Sequence, residues 1–360
     1  MFYRPTWAEI DLNALVSNYR FAQKKVYPKK IIPVIKADAY GHGAKEVMSA
    51  LMAEGVNLFA VSLLEEALEL RGLSDTVDLL MLGPILKEQF ELCHKRHIQF
   101  TVYDEAILDH ILSFDKPLMF HIKVETGMHR YGIEDYKKII QFMHDIKSTN
   151  HKLVGLYTHF ATANEQDDLF FSQIKRMEEL ISNLPYLPEM IHLSNSSSSL
   201  RYENKINFTT HARLGISLYG LSLDENQKGL TPVMSLKSTI VEIKRLSKGD
   251  TVGYGATYQA QQDNEYIAVV PIGYADGWIR RNKQGSVEIN HKIYKLVGII
   301  CMDACFIKVD KDIHVGDVVT LFGGMIKTDD VARRLKTISY EVICMVSKRV
   351  PRVFTKGGIR

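Results

Sequence analysis

Eight apolar, β-type runs that alternate with helix-period segments predict a (β/α)8 barrel of the TIM type in the first part of this 360-residue chain. After about Thr231 the pattern changes to short strands separated by turn residues, which predicts a second, mostly β domain. The length agrees with two domains, because one domain typically takes about 150 residues. We therefore expect a barrel over residues 1–232 and a C-terminal β domain over residues 233–360.

Each predicted barrel strand is a short apolar run that leads into a segment with apolar residues three and four positions apart. The runs cover residues 31–36, 58–62, 78–82, 99–102, 117–124, 153–158, 189–193 and 209–213. The clearest helical segments between them read AKEVMSALMAEG, LEEALELRGL and DLFFSQIKRMEELISNL. The second domain instead contains strand patterns such as LKSTIVEIKRL and VGDVVTLFGG, with a helical pattern, TDDVARRLK, near its end.

Composition and charge exclude several classes of protein. The 45 basic and 42 acidic residues leave a formal charge of +3, which is too balanced for a nucleic-acid-binding surface. No apolar run approaches about 18 residues and the first residues lack a signal-peptide pattern, so we expect a cytoplasmic protein without a membrane span. The four cysteines have the spacing of neither a disulfide framework nor a zinc site, so we expect no metal.

Lys36 stands at the end of an apolar run, in the stretch IIPVIKADAYGHG. One interpretation is that it is simply the first solvated residue after a buried strand. The other is that it is an amine nucleophile that forms an imine with a carbonyl cofactor or substrate. The stretch alone does not decide between them, so the rest of the barrel must.

Active sites of such barrels lie at the C-terminal ends of the strands. Polar residues follow five of the predicted strands: Lys36 and Tyr40 the first, Lys123 and Arg130 the fifth, His159 the sixth, Asn195 and Ser196 the seventh, and Arg213 the eighth. Each has an ordinary explanation by itself, such as a surface ion pair or a solvated loop. Their occurrence on one face of the barrel favours a shared active site.

A phosphate site next to an imine-forming lysine indicates pyridoxal 5′-phosphate (PLP). The loops after strands seven and eight usually bind phosphate, and Ser196 with the backbone of Gly215 and Ile216 fits that place, with Tyr40 as a further donor. PLP also needs a partner for its pyridine nitrogen, and the eighth strand offers Arg213. Because arginine keeps its proton, the ring would be a weak electron sink, which favours simple reprotonation over transamination.

Seven motifs follow one another along the chain: VIKADAYGHG, KVETGMHRYGI, GLYTHFATAN, ARLGISLYG, TVGYGATY, IGYADGW and GIICMDA. In this order, and over both domains, they resemble the motifs of bacterial alanine racemases. The resemblance implies a PLP-dependent isomerase that interconverts L-alanine and D-alanine. It also implies a homodimer in which the β domain of each subunit contributes to the active site of its partner.

The resemblance further implies roles for single residues. Lys36 would hold PLP, and Tyr254 would be the acid and base on the opposite face of the substrate. Arg130 and the backbone of Met302 would bind the substrate carboxylate. The other matched positions are Lys123, which is often carbamylated in this family and positions Arg130; His159 and Arg213, which link Tyr254 to the pyridine ring; and Tyr274 and Asp303, which line the path of the substrate from the partner subunit.

The chain departs from the family pattern at Asn164, Ile299, Ala304 and Lys348, none of which replaces a proposed base. A serine or broad-specificity racemase is the nearest alternative, because pocket width separates alanine from serine by only about 1–3 kcal/mol. A non-catalytic PLP-binding protein would leave the β domain unexplained. A decarboxylase of the same two-domain plan would be expected to place an acidic residue at the ring nitrogen, where this chain has an arginine.

Overall fold

The computed structural model describes residues 3–224 and 226–356, which group into two compact units. The strands, in chain order, are β1 (Thr6–Asp11), β2 (Lys30–Pro33), β3 (Leu58–Val61), β4 (Asp78–Met81), β5 (Ile98–Val102), β6 (Met119–Lys123), β7 (Lys152–Tyr157), β8 (Met190–His192), β9 (His211–Leu214), β10 (Met234–Thr239), β11 (Glu242–Leu246), β12 (Thr251–Val252), β13 (Tyr258–Gln259), β14 (Glu265–Val270), β15 (Ser286–Ile289), β16 (Lys292–Val297), β17 (Cys305–Val309), β18 (Val318–Phe322) and β19 (Arg352–Thr355). The α-helices are α1 (Leu12–Val26), α2 (Lys36–Gly41), α3 (Ala44–Met52), α4 (Leu64–Arg71), α5 (Phe90–Arg96), α6 (Glu105–Leu112), α7 (Tyr136–Asp145), α8 (Asp168–Ser182), α9 (Ser196–Arg201), α10 (Thr328–Leu335) and α11 (Ser339–Cys344).

The first unit is a closed barrel of parallel strands, β2 to β9. Strands β3 to β8 pair in chain order, and β2 pairs with β9. Backbone hydrogen bonds complete the ring: Ile35 N donates to Ala60 O (2.8 Å) next to β2 and β3, and Thr210 N donates to Ile191 O (2.8 Å) between β8 and β9. Each of the eight predicted runs overlaps one of these strands. The predicted (β/α)8 barrel is therefore confirmed.

The second unit is built mainly from the C-terminal part of the chain. Within the described residues, nine strands form one sheet in the order β11, β14, β17, β16, β15, β18, β10, β1 and β19, and β12 pairs with β13 as a separate hairpin. All neighbours in the large sheet are antiparallel except β1 and β19. The predicted β domain is confirmed as a fold. The boundary between residues 232 and 233 stays a prediction.

Strand β1 belongs to the large sheet, although it lies within the segment predicted as barrel. Its alternation of buried and half-buried residues matches a strand packed on one side, but its partners β10 and β19 lie far away in the chain. Local pattern does not indicate such pairing. Among the residues that the structure describes, no helix is long and apolar enough to cross a membrane.

Helix α2 is left-handed. Residues 37–40 have φ angles of 52–54°, and Gly41 has 81°. Such a conformation costs roughly 1–2 kcal/mol for each non-glycine residue, so its surroundings must hold it. Ala37 N donates to Glu66 Oε1 (2.6 Å), and Ala44 N donates to Asp38 Oδ1 (2.8 Å). The strand expected over 31–36 therefore ends at Pro33, and Lys36 begins this left-handed turn instead.

Candidate active site

Four positively charged side chains of the barrel act on one histidine. The pKa of His159 lies well below its usual range, first because the ring is desolvated and then because of the charges on Arg213, Arg130, Lys123 and Lys36. These residues come from the ends of four barrel strands: Lys36 follows β2, Lys123 and Arg130 lie at and after the end of β6, His159 follows β7, and Arg213 lies near the end of β9. The predicted convergence of polar residues at one end of the barrel is therefore present for these five.

Arg213 is the most fully engaged of these cations and is only 3% exposed. Its Nη1 donates to the Nδ1 and the backbone oxygen of His192, both at 2.7 Å. Its Nη2 donates to Thr158 O (2.7 Å) and Leu193 O (2.9 Å) and lies 3.2 Å from His159 Nδ1. Both Nη groups are thus occupied, which leaves the Nε–H as the guanidinium donor without an acceptor among the described residues.

The Arg213 guanidinium is hydrogen-bonded to one end of a chain of neutral side chains in the barrel strands. Because Arg213 can only donate, His192 Nδ1 accepts, and the proton of His192 is on Nε2. That nitrogen donates to His121 Nδ1 (2.9 Å), and His121 Nε2 donates to Gln99 Oε1 (2.9 Å). Burial lowers the pKa of His121 to about 3 and holds that of His192 well below its usual range. The positive charge of Arg213 therefore has no carboxylate among its described hydrogen-bond partners.

The sequence motifs miss this chain of side chains. His121 lies within β6, His192 within β8 and Gln99 within β5. The available signal is a polar residue at a buried position of a barrel strand, which is costly unless a partner satisfies it. That signal identifies the residues but not their partners, because the partners come from other strands.

Lys123 and Arg130 flank a loop after β6. Burial and, to a smaller extent, the charges of Arg130 and Arg213 together lower the pKa of Lys123 to about 8. The Glu125 carboxylate organises this loop by accepting a hydrogen bond from Met128 N (2.7 Å). Arg130 itself is exposed. The loop thus exposes the long cationic side chain of Arg130 to solvent, whereas Lys123, at the end of β6, is buried.

The loops after β8 and β9 meet through one hydroxyl group. Ser196 Oγ accepts from Gly215 N (2.8 Å), so its own proton is available for another acceptor. Ser194 Oγ is buried and has no hydrogen-bond partner among the described residues. Asn195 Oδ1 accepts from Ser198 N (3.3 Å) and thereby caps helix α9. Ile216 follows Gly215 and begins a short 3-10 turn.

These groups fit PLP. A buried guanidinium with one unoccupied Nε–H matches a pyridine nitrogen, which accepts a hydrogen bond. Hydroxyl groups of Ser194 and Ser196 near the start of a helix match a phosphate. The surplus of cations around His159 matches an anionic group.

The remaining predicted residues belong to the β unit. Tyr40 is buried, which raises its pKa, and its ring lies 6.1 Å from that of Tyr340. Tyr254, Tyr274 and Met302 are exposed, Tyr254 most of all at 73%.

Two contacts join the segments of Tyr274 and Asp303 to their neighbours. Tyr274 N donates to Cys301 O (3.0 Å), and Cys301 is the residue that precedes Met302. Asp303 Oδ1 accepts from Arg349 Nη2 (2.6 Å). The backbone around Met302 is therefore fixed, while its side chain is exposed.

Family models match both parts of the chain. The model for the N-terminal domain of alanine racemase matches residues 10–223, and the model for its C-terminal domain matches residues 233–354. An alanine racemase of Anoxybacillus flavithermus is 39% identical over 99% of this chain and 96% of its own length.

Solved structures give the same result. The crystal structure of alanine racemase from Bacillus anthracis with bound L-Ala-P has a TM-score of 0.91 and 33% identity, covering 100% of this chain and 97% of that one. The structure from E. faecalis has a TM-score of 0.91 and 34% identity, covering 98% of both chains. The family resemblance of the seven motifs and the expectation of PLP are thereby confirmed, and the chain belongs to the alanine racemase family of PLP-dependent isomerases.

Proposed function

We propose that this chain interconverts L-alanine and D-alanine by a two-base mechanism, with Lys36 on one face of the substrate and Tyr254 of a second copy on the other. The observation that carries the proposal is the buried Arg213, whose Nη groups are occupied and whose Nε–H is left for a ligand. Family membership supports the reaction. The residue roles are inferred from the site.

PLP, when bound, withdraws electrons from the α-carbon of the attached amino acid and so makes its proton acidic. The residues that would hold it are Lys36, which supplies the amine for covalent attachment; Ser196, Gly215, Ile216 and Tyr40 at the phosphate; Arg213 at the pyridine nitrogen; and His159 and Asn195 beside them. Arg213 donates its Nε–H without losing the proton, because arginine stays protonated in proteins. Arg213 would thereby leave the pyridine nitrogen unprotonated, which favours return of a proton over side reactions.

Racemisation requires two groups that exchange a proton with the α-carbon from opposite faces. The Lys36 amine would hold or accept the proton on one face. A phenol with its usual pKa of about 10 is a poor base at neutral pH, so Tyr254 needs nearby positive charge. His159, polarised by Arg213, and the cation Arg130 would supply it.

Arg130 and the backbone N–H of Met302 would bind the substrate carboxylate. Lys123, whose lowered pKa leaves more of its amine neutral, would add to carbon dioxide with loss of a proton, and the resulting carbamate would hold Arg130 in place. By binding the carboxylate, Arg130 and Met302 would orient the α-proton toward the two bases. Such positioning supplies much of the rate advantage of a bound substrate.

We propose a homodimer with shared sites because the β unit exposes Tyr254, Tyr274 and Met302. Exposed aromatic and apolar side chains that lie in functional motifs are expected to meet a partner. In the dimer, Tyr274 and Asp303 would line the path of the substrate. A cytoplasmic location belongs to the same proposal and is supported by the low count of four cysteines.

The test is incubation of the purified protein with single L-amino acids, with and without added PLP, followed by chiral chromatography. L-Alanine should approach an equal mixture of enantiomers, and Lys36→Ala should abolish the conversion. L-Serine should react more slowly by roughly tenfold or more, as expected for a pocket that fits the smaller side chain. Equal rates would indicate a broad-specificity racemase. Formation of an amine and carbon dioxide instead would contradict the proposal.

A further inference from the structure

Tyr254 lies on a short loop of the β unit. Val252 of β12 pairs with Tyr258 of β13, and the five residues between them form the loop. Gly253 and Gly255 both have φ of +70°, a backbone conformation that residues other than glycine rarely adopt. The side chain of Tyr254 is 73% exposed. Since little of its own chain packs around this phenol, its position depends on what holds the two strands at the base of the loop.

The second strand of this hairpin is held by one buried carboxylate, Glu265 of β14, whose side chain is 1% exposed. It accepts a short hydrogen bond from the Tyr258 phenol and others from Gln261 N (2.7 Å) and Gln262 N (3.1 Å). Lys308 Nζ of β17 lies 2.9 Å from it. Hydrogen bonds from Tyr258 and Lys308 lower the pKa of Glu265 to about 2, so it is ionised at any working pH.

The start of the loop, next to the first strand of the hairpin, packs against β17. A Cβ atom at Gly253 would lie 3.0 Å from the Phe306 ring, and the φ of Gly253 is +70°, so the backbone at Gly253 lies close against this ring and favours glycine. Phe306 and Lys308 thus support the two sides of the loop from one strand, Phe306 directly and Lys308 through Glu265. The contact between Gly253 and the Phe306 ring does not depend on charge. The support through Glu265 does, because its donors bind the ionised carboxylate.

We propose that Glu265 is a positioning residue for Tyr254, and this rests on the proposed function, in which Tyr254 is the second base. Both oxygens of the Glu265 carboxylate accept hydrogen bonds, so all four donors are satisfied. In a glutamine, one oxygen is replaced by an NH2 group, which donates and cannot accept from the donors that face it. Loss of the carboxylate therefore frees Tyr258 and the turn after it, and the loop shifts. Displacement of a catalytic group by about 1 Å can cost roughly 100-fold in rate.

The experiment compares Glu265→Gln with a matched control, Glu288→Gln, in the PLP-loaded full chain. Glu288 is a mostly buried carboxylate of β15 that accepts from Met325 N (2.7 Å) and holds a different loop. For each alanine enantiomer in D2O, racemisation and exchange of the α-hydrogen are measured separately. Lys36 can remove the proton that faces it and return deuterium to the same face, so this exchange does not require Tyr254.

In Glu265→Gln we expect kcat for racemisation to fall by about 10- to 100-fold, with KM changed by less than about threefold. The ratio of exchange to racemisation should rise by at least about fivefold for one enantiomer only, because only the Tyr254 face is impaired. The control should keep the wild-type ratio. If Glu265→Gln does not fold, Tyr258→Phe removes one donor to the same carboxylate and should change the ratio in the same direction.

Tyr254→Phe separates the two levels of the inference. If this variant does not raise the ratio for one enantiomer, the proposed role of Tyr254 is wrong. If it does, but Glu265→Gln slows exchange and racemisation equally or changes neither, then Glu265 only stabilises the fold and the positioning role is overturned.

Discussion

Arg213 Nη2 lies 3.2 Å from His159 Nδ1. Because a guanidinium only donates, the imidazole accepts at Nδ1 and carries its proton on Nε2. His159 is thereby fixed in one tautomer, with a donor directed away from Arg213. This is the arrangement needed for a histidine that passes the influence of one cation to a second polar group, which we propose to be the Tyr254 phenol.

Lys36 should be the residue that binds the cofactor. Reduction of the PLP-loaded protein with borohydride, followed by peptide mapping, should find the cofactor on Lys36 alone, because this amine lies among the cations that act on His159. Lys36→Ala should not be labelled. Cofactor found on Lys123, the buried lysine of this group, would show that the wrong amine has been assigned.

Ser196→Ala should weaken PLP binding by about 10- to 100-fold, the value of one hydrogen bond to a charged group. The reason is that Ser196 Oγ joins the loops after β8 and β9 and keeps a proton to donate. The dissociation constant is measured by PLP titration after dialysis. Ser199→Ala is the matched control, because Ser199 Oγ donates to Asn195 O (2.6 Å) within the same helix. Equal losses in the two variants would count against a phosphate site at Ser196.

Arg213→Glu should lower racemisation and raise the side reaction of transamination. A carboxylic acid at this position can protonate the pyridine nitrogen, which makes the ring a stronger electron sink than arginine allows. The measurement is pyruvate formed per turnover, beside the rate of D-alanine formation. Loss of racemisation without additional pyruvate would mean that Arg213 acts by holding the site together.

The buried histidines should make the protein sensitive to acid. The pKa of His121 is about 3 in the folded chain and about 6.5 when unfolded, so the unfolded state binds more protons between these values. The free energy of unfolding should therefore fall as pH decreases from about 6.5 toward 3, by at most about 1.4 kcal/mol per pH unit for this residue.

Urea unfolding at pH 7 and pH 5 checks this. His121→Leu should show a shallower loss of stability with acid than the wild type, although it is less stable at pH 7 because Gln99 and His192 lose a partner. His291→Gln removes an exposed histidine and serves as the control. An unchanged slope in His121→Leu would contradict the assignment.

The barrel could be predicted from the sequence because its signals are local. Apolar runs and helical periods identify each strand and helix, and the end of a barrel strand is a known place for chemistry. The same reasoning identifies Lys36, His159 and Arg213 as candidate site residues. The left-handed turn after Lys36 could not be predicted, since alanine and tyrosine rarely adopt positive φ angles and one aspartate does not predict four such residues in a row.

Features that depend on distant partners could not be read from the sequence. Strand β1 pairs with β10 and β19, and the chain of Gln99, His121 and His192 joins three strands. Glu265 has no distinguishing feature in the sequence, because its partners Tyr258 and Lys308 come from other strands, β13 and β17. Long-range contacts of this kind carry no local pattern.

The proposed mechanism divides its two bases between the subunits of the dimer. Lys36 belongs to the barrel unit and Tyr254 to the β unit, and the proposal places them on opposite subunits of each site. Each subunit would then give one base to its own barrel and one to that of its partner.

The most direct measurement is subunit mixing. Lys36→Ala and Tyr254→Phe homodimers, each nearly inactive, are unfolded together in equal amounts and refolded. Random pairing should make about half of the dimers mixed, and every mixed dimer has one doubly damaged and one intact site, so roughly a quarter of all sites should recover racemase activity. No recovery, with mixed dimers shown to be present by a tag on one variant, would mean that both bases come from the same chain.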